Sequence, residues 1–100
     1  MLFFLLFGVR MTGGFRYFLG LSAASRQRVV AESLSGYWFR FSRIFDLDGK
    51  NCYVGIRTEM LAHTVGDGTG ETFDDALNMA LAELKVYHDR LRLKRERNES

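Results

Sequence analysis

Proline is absent from this 100-residue chain, cysteine occurs once and histidine twice. The lack of proline fits a compact chain joined by short turns. The lone Cys52 excludes an internal disulfide and leaves the redox compartment open. Cys52, His63 and His88 have no zinc-ligand spacing. Strong charge of one sign is also missing. A net charge of +2 permits a nucleic-acid or acidic partner without demanding one. No apolar stretch reaches the roughly 20 residues that a bilayer requires. What is present suits one ordinary globular domain: 47% hydrophobic and 26% charged residues, with 14% aromatic side chains to build a core.

The longest apolar run is Leu2 to Val9. Extending it to Leu21 brings in Arg10 and Arg16, each costing roughly 2.5–3.5 kcal/mol near a bilayer centre. Ser22-Ala23-Ala24 resembles a signal-peptidase site, but no basic region precedes the run. Residues 1–21 therefore read as a buried element of the fold or as an extension ahead of a start at Met11. Residues 22–100 read as a single α+β domain. Membrane attachment through residues 1–21 is a further alternative, and a cytoplasmic protein is expected.

The clearest element runs from Thr72 to about Arg97. Phe73, Leu77, Ala80, Leu84, Tyr87 and Leu91 are spaced four and three apart, so they line one side of a helix. Thr72 and Asp75 make a capping-box-like start, and Asp74 and Asp75 suit the positive end of the helix dipole. A shorter helix is expected from Ala23 to Leu34, capped by Ser22, with Ala23, Val30, Ala31 and Leu34 as its apolar stripe. Phe15 to Leu21 reads as a strand. Tyr37 to Phe45 alternates as a strand, with a bulge or strand end at Arg43. Asp48-Gly49 makes the turn, Asn51 to Thr58 returns, and Met60 to Val65 is the third strand. Gly66-Asp67-Gly68-Thr69-Gly70 reads as a loop into the long helix. The fold class is α+β: a three-stranded antiparallel sheet over about 37–65, with both helices on one face.

The helix–strand–strand–strand–helix order resembles double-stranded-RNA-binding domains. The places where that family carries phosphate-gripping lysines hold Glu71, Asp74 and Asp75 here. Gly70-Glu71-Thr72-Phe73-Asp74-Asp75-Ala76-Leu77 is similar to the Gly-x-Thr-x-x-Glu-Ala-Leu segment of HicB-like antitoxin domains, a likeness that covers residues 70–91. The acidic-aromatic and proline motif that precedes the segment in that family is missing. The likeness implies a small module that binds a partner toxin and oligomerises.

Local chemistry is sparse. Gly66-x-Gly68-x-Gly70 lacks a further glycine at position 71, and Asp67, Glu71, Asp74 and Asp75 would repel a phosphate. Asp46-x-Asp48-Gly49 has its glycine two places too early for a calcium loop, with Arg57 where a bidentate Glu belongs. No nucleophile elbow occurs. The sequence points to no enzyme, cofactor, metal or small-molecule substrate.

Three surfaces are candidates. Trp38, Arg40, Tyr53 and Arg57 share the sheet face away from the core, where aromatics and arginines can stack on and neutralise single-stranded nucleic acid. Arg90, Arg92, Lys94, Arg95 and Arg97 make a basic helix end. Met79, Ala82, Val86 and Leu93 form a second apolar line on the same helix, a candidate oligomer contact. Together they describe a small binding module, a homo-oligomer acting on a protein or nucleic-acid partner, antitoxin-like or accessory to a mobile element. The alternative is a structural or assembly protein.

Overall fold

The structure, a computed structural model, describes residues 9–58 and 63–99. Along them run α1 (Phe15–Leu19), α2 (Ala23–Leu34), β1 (Tyr37–Arg43), β2 (Cys52–Thr58), β3 (Thr64–Gly70) and α3 (Phe73–Glu99). The strands form one antiparallel sheet in the order β1-β2-β3. The helices bury their inner sides against one face of it, so the class is α+β as expected.

Strand register follows the alternation of the sequence. Phe39 pairs with Ile56 and Phe41 with Val54. These four side chains and Cys52 point into the core, each 2% exposed or less. β1 stops at Arg43 because its inward-facing residues change there from phenylalanine to a guanidinium. The turn beyond it is closed by the Asp46 carboxylate, which accepts from the Asp48 N–H at 2.7 Å. Gly49 supplies the positive φ, 83°, that the turn requires.

β3 differs from the expectation. The third strand is Thr64–Gly70, so the glycine-rich stretch is a strand and not a loop. Residues 59–62, on which the predicted start at Met60 falls, lie outside the described residues. The reason is packing. Gly66, Gly68 and Gly70 pair with Ile56, Val54 and Cys52, which places them on the inner face under α3. A Cβ on Gly66 would stand 2.7 Å from the Ala80 carbonyl oxygen, and one on Gly70 2.7 Å from the Asp75 Cβ. Three glycines at every second position let the helix backbone lie directly on the strand, and the fully buried Ala76 and Ala80 do the same from the helix side. The close approach offsets the poor strand propensity of glycine.

α3 begins as the capping argument requires: the Asp75 N–H donates to Thr72 Oγ1 at 3.1 Å. Its stripe is buried at Leu77, Ala80 and Leu84, half-buried at Phe73 and Tyr87, and emerges at Leu91, which is 40% exposed. A 27-residue helix is about 40 Å long, while the radius of gyration is only 14.1 Å. Residues 90–98 are all exposed, so the last turns overhang the body.

α2 has the expected bounds and the expected Ser22 cap, but its buried side is another one. Ser25, Val29 and Ser33 face the core, whereas Ala23, Ala31 and Leu34 are exposed and Val30 is half-buried. The two serines are small and satisfied. Ser25 Oγ donates to Asp74 at 2.5 Å, and Ser33 Oγ accepts from the Arg10 N–H at 3.2 Å.

Phe15 to Leu21 is likewise not a strand. Phe15–Leu19 is a short helix between Gly14, whose φ is 76°, and Gly20. A side chain on Gly14 would collide with the Phe41 backbone, so glycine is needed both for the turn and for the contact. Ahead of α1, Val9 and Met11 are 1% and 0% exposed. Met11 forms a parallel bridge with Phe39, the Phe39 N–H donates to the Arg10 carbonyl at 2.9 Å, and the Thr12 N–H donates to the Phe39 carbonyl at 3.1 Å. Residues 10–12 thus cover the outer edge of β1. The apolar run over residues 2–8 lies outside the described residues.

Candidate functional site

No described helix crosses the outer face of the sheet. The register sets Trp38 opposite Arg57, Arg40 opposite Gly55 and Ser42 opposite Tyr53. Across β2, Gly55 faces Asp67 and Arg57 faces Thr64. Trp38, Arg40, Tyr53 and Arg57 therefore meet on one surface, Arg40 exposed and the others half-buried. Gly55 leaves room for the Tyr53 ring to fold across it: a Cβ there would stand 2.8 Å from Tyr53 Oη. Tyr53 Oη donates to Asp67 Oδ2 at 3.4 Å. Burial pushes the Tyr53 hydroxyl above its ordinary pKa, and the Asp67 carboxylate adds to the shift. Arg57 Nη2 donates to Thr12 Oγ1 at 3.4 Å. Arg40, Tyr53, Gly55, Arg57 and Thr64 surround a recess that, counted with its open mouth, measures about 360 Å³. Two guanidiniums beside a phenol, opposed by one carboxylate, can hold an anionic backbone next to a planar group.

The basic residues Arg90, Arg92, Lys94, Arg95 and Arg97 are placed elsewhere, on the overhang of α3. Arg92 meets Asp89 at 3.9 Å, but the side chains are 67% and 49% exposed, too open for the pair to add much. The apolar line on α3 also lies apart from the sheet face. Met79, Val86 and Leu93 are 47%, 46% and 49% exposed, and Ala82 is exposed with them.

Two arrangements have no local signal in the sequence, because their members are distant along it. In the first, Tyr17 stacks on Phe73 at 4.4 Å, and the Arg43 guanidinium lies over both rings, 5.7 and 5.4 Å from their centroids. Arg16 Nη2 donates to Tyr17 Oη at 3.0 Å, which holds the phenol below its usual pKa. Cys52, buried beside this stack, donates to the Glu71 carbonyl at 3.5 Å and is tied into packing. Beside it, Asp74 Oδ1 accepts from the Ser22 N–H, Ser22 Oγ and Ser25 Oγ, fastening the start of α3 to the start of α2. Ser25 first, then Ser22, draws the Asp74 carboxyl below its usual pKa.

The second arrangement is an open apolar groove between α1 and α2. Phe15, Phe18, Leu19, Val30 and Leu34 line it, and with its mouth it encloses about 1120 Å³. Its α2 wall is the stripe that hydrophobicity alone would turn inward. His88 is not a ligand candidate in this setting: its Nε2 is hydrogen-bonded to Tyr37 Oη, whose pKa burial pushes up. Among the described residues no three His, Cys, Asp or Glu side chains gather as metal ligands. No described helix is long and apolar enough to cross a membrane. Comparison with protein-family models, curated proteins and solved structures finds no match.

Proposed function

We propose that this chain is a small binding module that takes single-stranded nucleic acid on the outer face of its sheet. The observation that carries the reading is the segregation of the fold. All three described helices serve the inner face, while Arg40, Tyr53 and Arg57 gather on the outer one beside Trp38. Arginine at Arg40 and Arg57 supplies phosphate contacts, and the aromatic pair supplies stacking that tolerates any base. The acidic start of α3 argues against the double-stranded mode, since Glu71, Asp74 and Asp75 stand where phosphates would have to approach.

The test is fluorescence anisotropy with a labelled oligo-dT and an oligo-U of equal length, at low salt and over a salt series. Affinity should fall as salt rises, and Arg40→Gln with Arg57→Gln should weaken it and flatten the salt dependence. A parent protein that binds neither oligonucleotide at low salt would remove the reading. In that case the outer face serves a protein partner, as the antitoxin-like segment implies, or only stabilises the sheet.

A further inference from the structure

We propose that the chain associates with a second copy of itself by seating the β1–β2 turn of one copy in the α1–α2 groove of the other. The turn carries Phe45 and Leu47, each 90% exposed. It is a rigid presentation. The Asp46 N–H donates to Asn51 Oδ1 at 3.2 Å, the Gly49 N–H to the Asp46 carbonyl at 3.2 Å, and the Ile44 N–H to the Asn51 carbonyl at 2.9 Å. A closed turn that holds out two large apolar side chains loses little backbone freedom when it docks.

The groove is the complementary feature. Leu19 and Leu34 at its sides remain 56% and 73% exposed, and Val30 and Ala31 lie between them. Its one charged lining residue is Arg26. Arg26 Nη1 donates to the carbonyls of Leu19 at 3.0 Å and Leu21 at 2.8 Å, which fixes a cation beside the apolar wall. Among the described residues no carboxylate pairs with it. The turn brings the missing charge: Asp46 and Asp48 alternate with Phe45 and Leu47. An acidic-apolar protrusion and a basic-apolar groove on the same chain match in polarity and sign. Among the described residues both features are open in one copy, so the turn does not fill its own groove. A two-fold pair would use each feature twice. The contact uses none of Trp38, Arg40, Tyr53 and Arg57 and does not rest on the nucleic-acid reading.

Sedimentation equilibrium of the full chain over a concentration series tests the contact, with circular dichroism to confirm that each variant is folded. The double variant Phe45→Ser, Leu47→Ser should weaken association about tenfold or more, and Ala31→Glu in the groove should do the same. An equimolar mixture of the two should associate again, because it restores one intact turn and one intact groove. Asp46→Asn with Asp48→Asn should weaken association and reduce its salt dependence. A parent monomeric at every attainable concentration would overturn the proposal. So would association untouched by the turn variant but abolished in Val86→Glu, which would place the contact on α3. Loss through the groove variant alone would give the groove to another occupant, such as residues 2–7, and would also overturn it.

Discussion

A side chain on Gly68 would stand inside the backbone of α3, against the carbonyl oxygen of Ala76 and 2.8 Å from the Ala80 nitrogen. Neither atom can move aside without moving the helix. Gly68→Ala should therefore destabilise the fold by about 1–3 kcal/mol or more, as overpacking does. Gly55→Ala is the control. Its nearest obstacle is the far end of the Tyr53 side chain, 2.8 Å away, which can swing outward. That variant should cost under about 1 kcal/mol, in the range of ordinary substitutions. Urea melts of the two variants beside the parent would show the difference.

The glycine track shows why one part of the sheet is hard to read from sequence. Glycine is a turn signal, and three in five residues outweigh an alternation that has no apolar side chains to reveal it. The period of two at Gly66, Gly68 and Gly70 is nevertheless present. It becomes meaningful only when Ala76 and Ala80 are recognised as the matching small residues on α3. The same blindness affects α2. Hydrophobicity places Val30, Ala31 and Leu34 inside, but Ser25 and Ser33 are the buried ones because Asp74 and the Arg10 N–H satisfy them. Elements built on apolar alternation or a four-three stripe, β1, β2 and α3, are legible almost to the residue. Of the candidate site, the shared face of Trp38, Arg40, Tyr53 and Arg57 follows from the strand period alone. The Tyr17–Phe73–Arg43 stack and the α1–α2 groove depend on tertiary placement, which no local pattern encodes.

Met11 tests the N-terminal packing. It is 0% exposed and bridges Phe39, so its side chain belongs to the same core as β1. Met11→Ala should cost about 2–5 kcal/mol through reduced burial and the cavity left behind. Residues 10–12 should also protect the Phe39 amide, which donates to the Arg10 carbonyl. Hydrogen exchange at Phe39 should be slow in the parent and faster in the variant. An unchanged melt together with a fast Phe39 amide would mean that this segment is not part of the stable core.

Asp74 gives the stability a pH dependence. Its carboxylate accepts three hydrogen bonds from Ser22 and Ser25, and its pKa lies below the ordinary value of 3.8. A carboxyl with a lowered folded pKa contributes its full stability above the unfolded value and loses it as pH falls through the folded one. Asp74→Asn should therefore cost about 1–2 kcal/mol at neutral pH, since the charged acceptor of those hydrogen bonds is gone. The gap between variant and parent should close as the pH is taken below 3.8. Denaturant melts at neutral and acid pH would check the sign; a gap that widens in acid would assign the effect to another group.

The overhang of α3 separates folding from binding. The last fully buried side chain of the helix is Leu84, and every residue from 90 to 98 is exposed. Replacing Arg92, Lys94, Arg95 and Arg97 by Gln removes four positive charges without touching the core. The favourable charge at the end of the helix dipole and the open Arg92–Asp89 pair are given up, each a small contribution, so stability should change by under about 1 kcal/mol. If the sheet face holds a strand, only an oligomer long enough to extend past the recess around Arg40 and Arg57 would offer phosphates to these side chains. Each phosphate left without its cation should lower the salt slope of binding by about 0.7 for a single strand. Substitution at the two sites then has distinct signatures. The helix-end variant should lose affinity equally for oligo-dT and oligo-U, and more for longer oligomers than for short ones. The Arg40, Arg57 variant should lose affinity at every length. A helix-end variant with parental affinity and slope for the longest oligomer would confine binding to the sheet and leave the basic end as a solvated helix terminus.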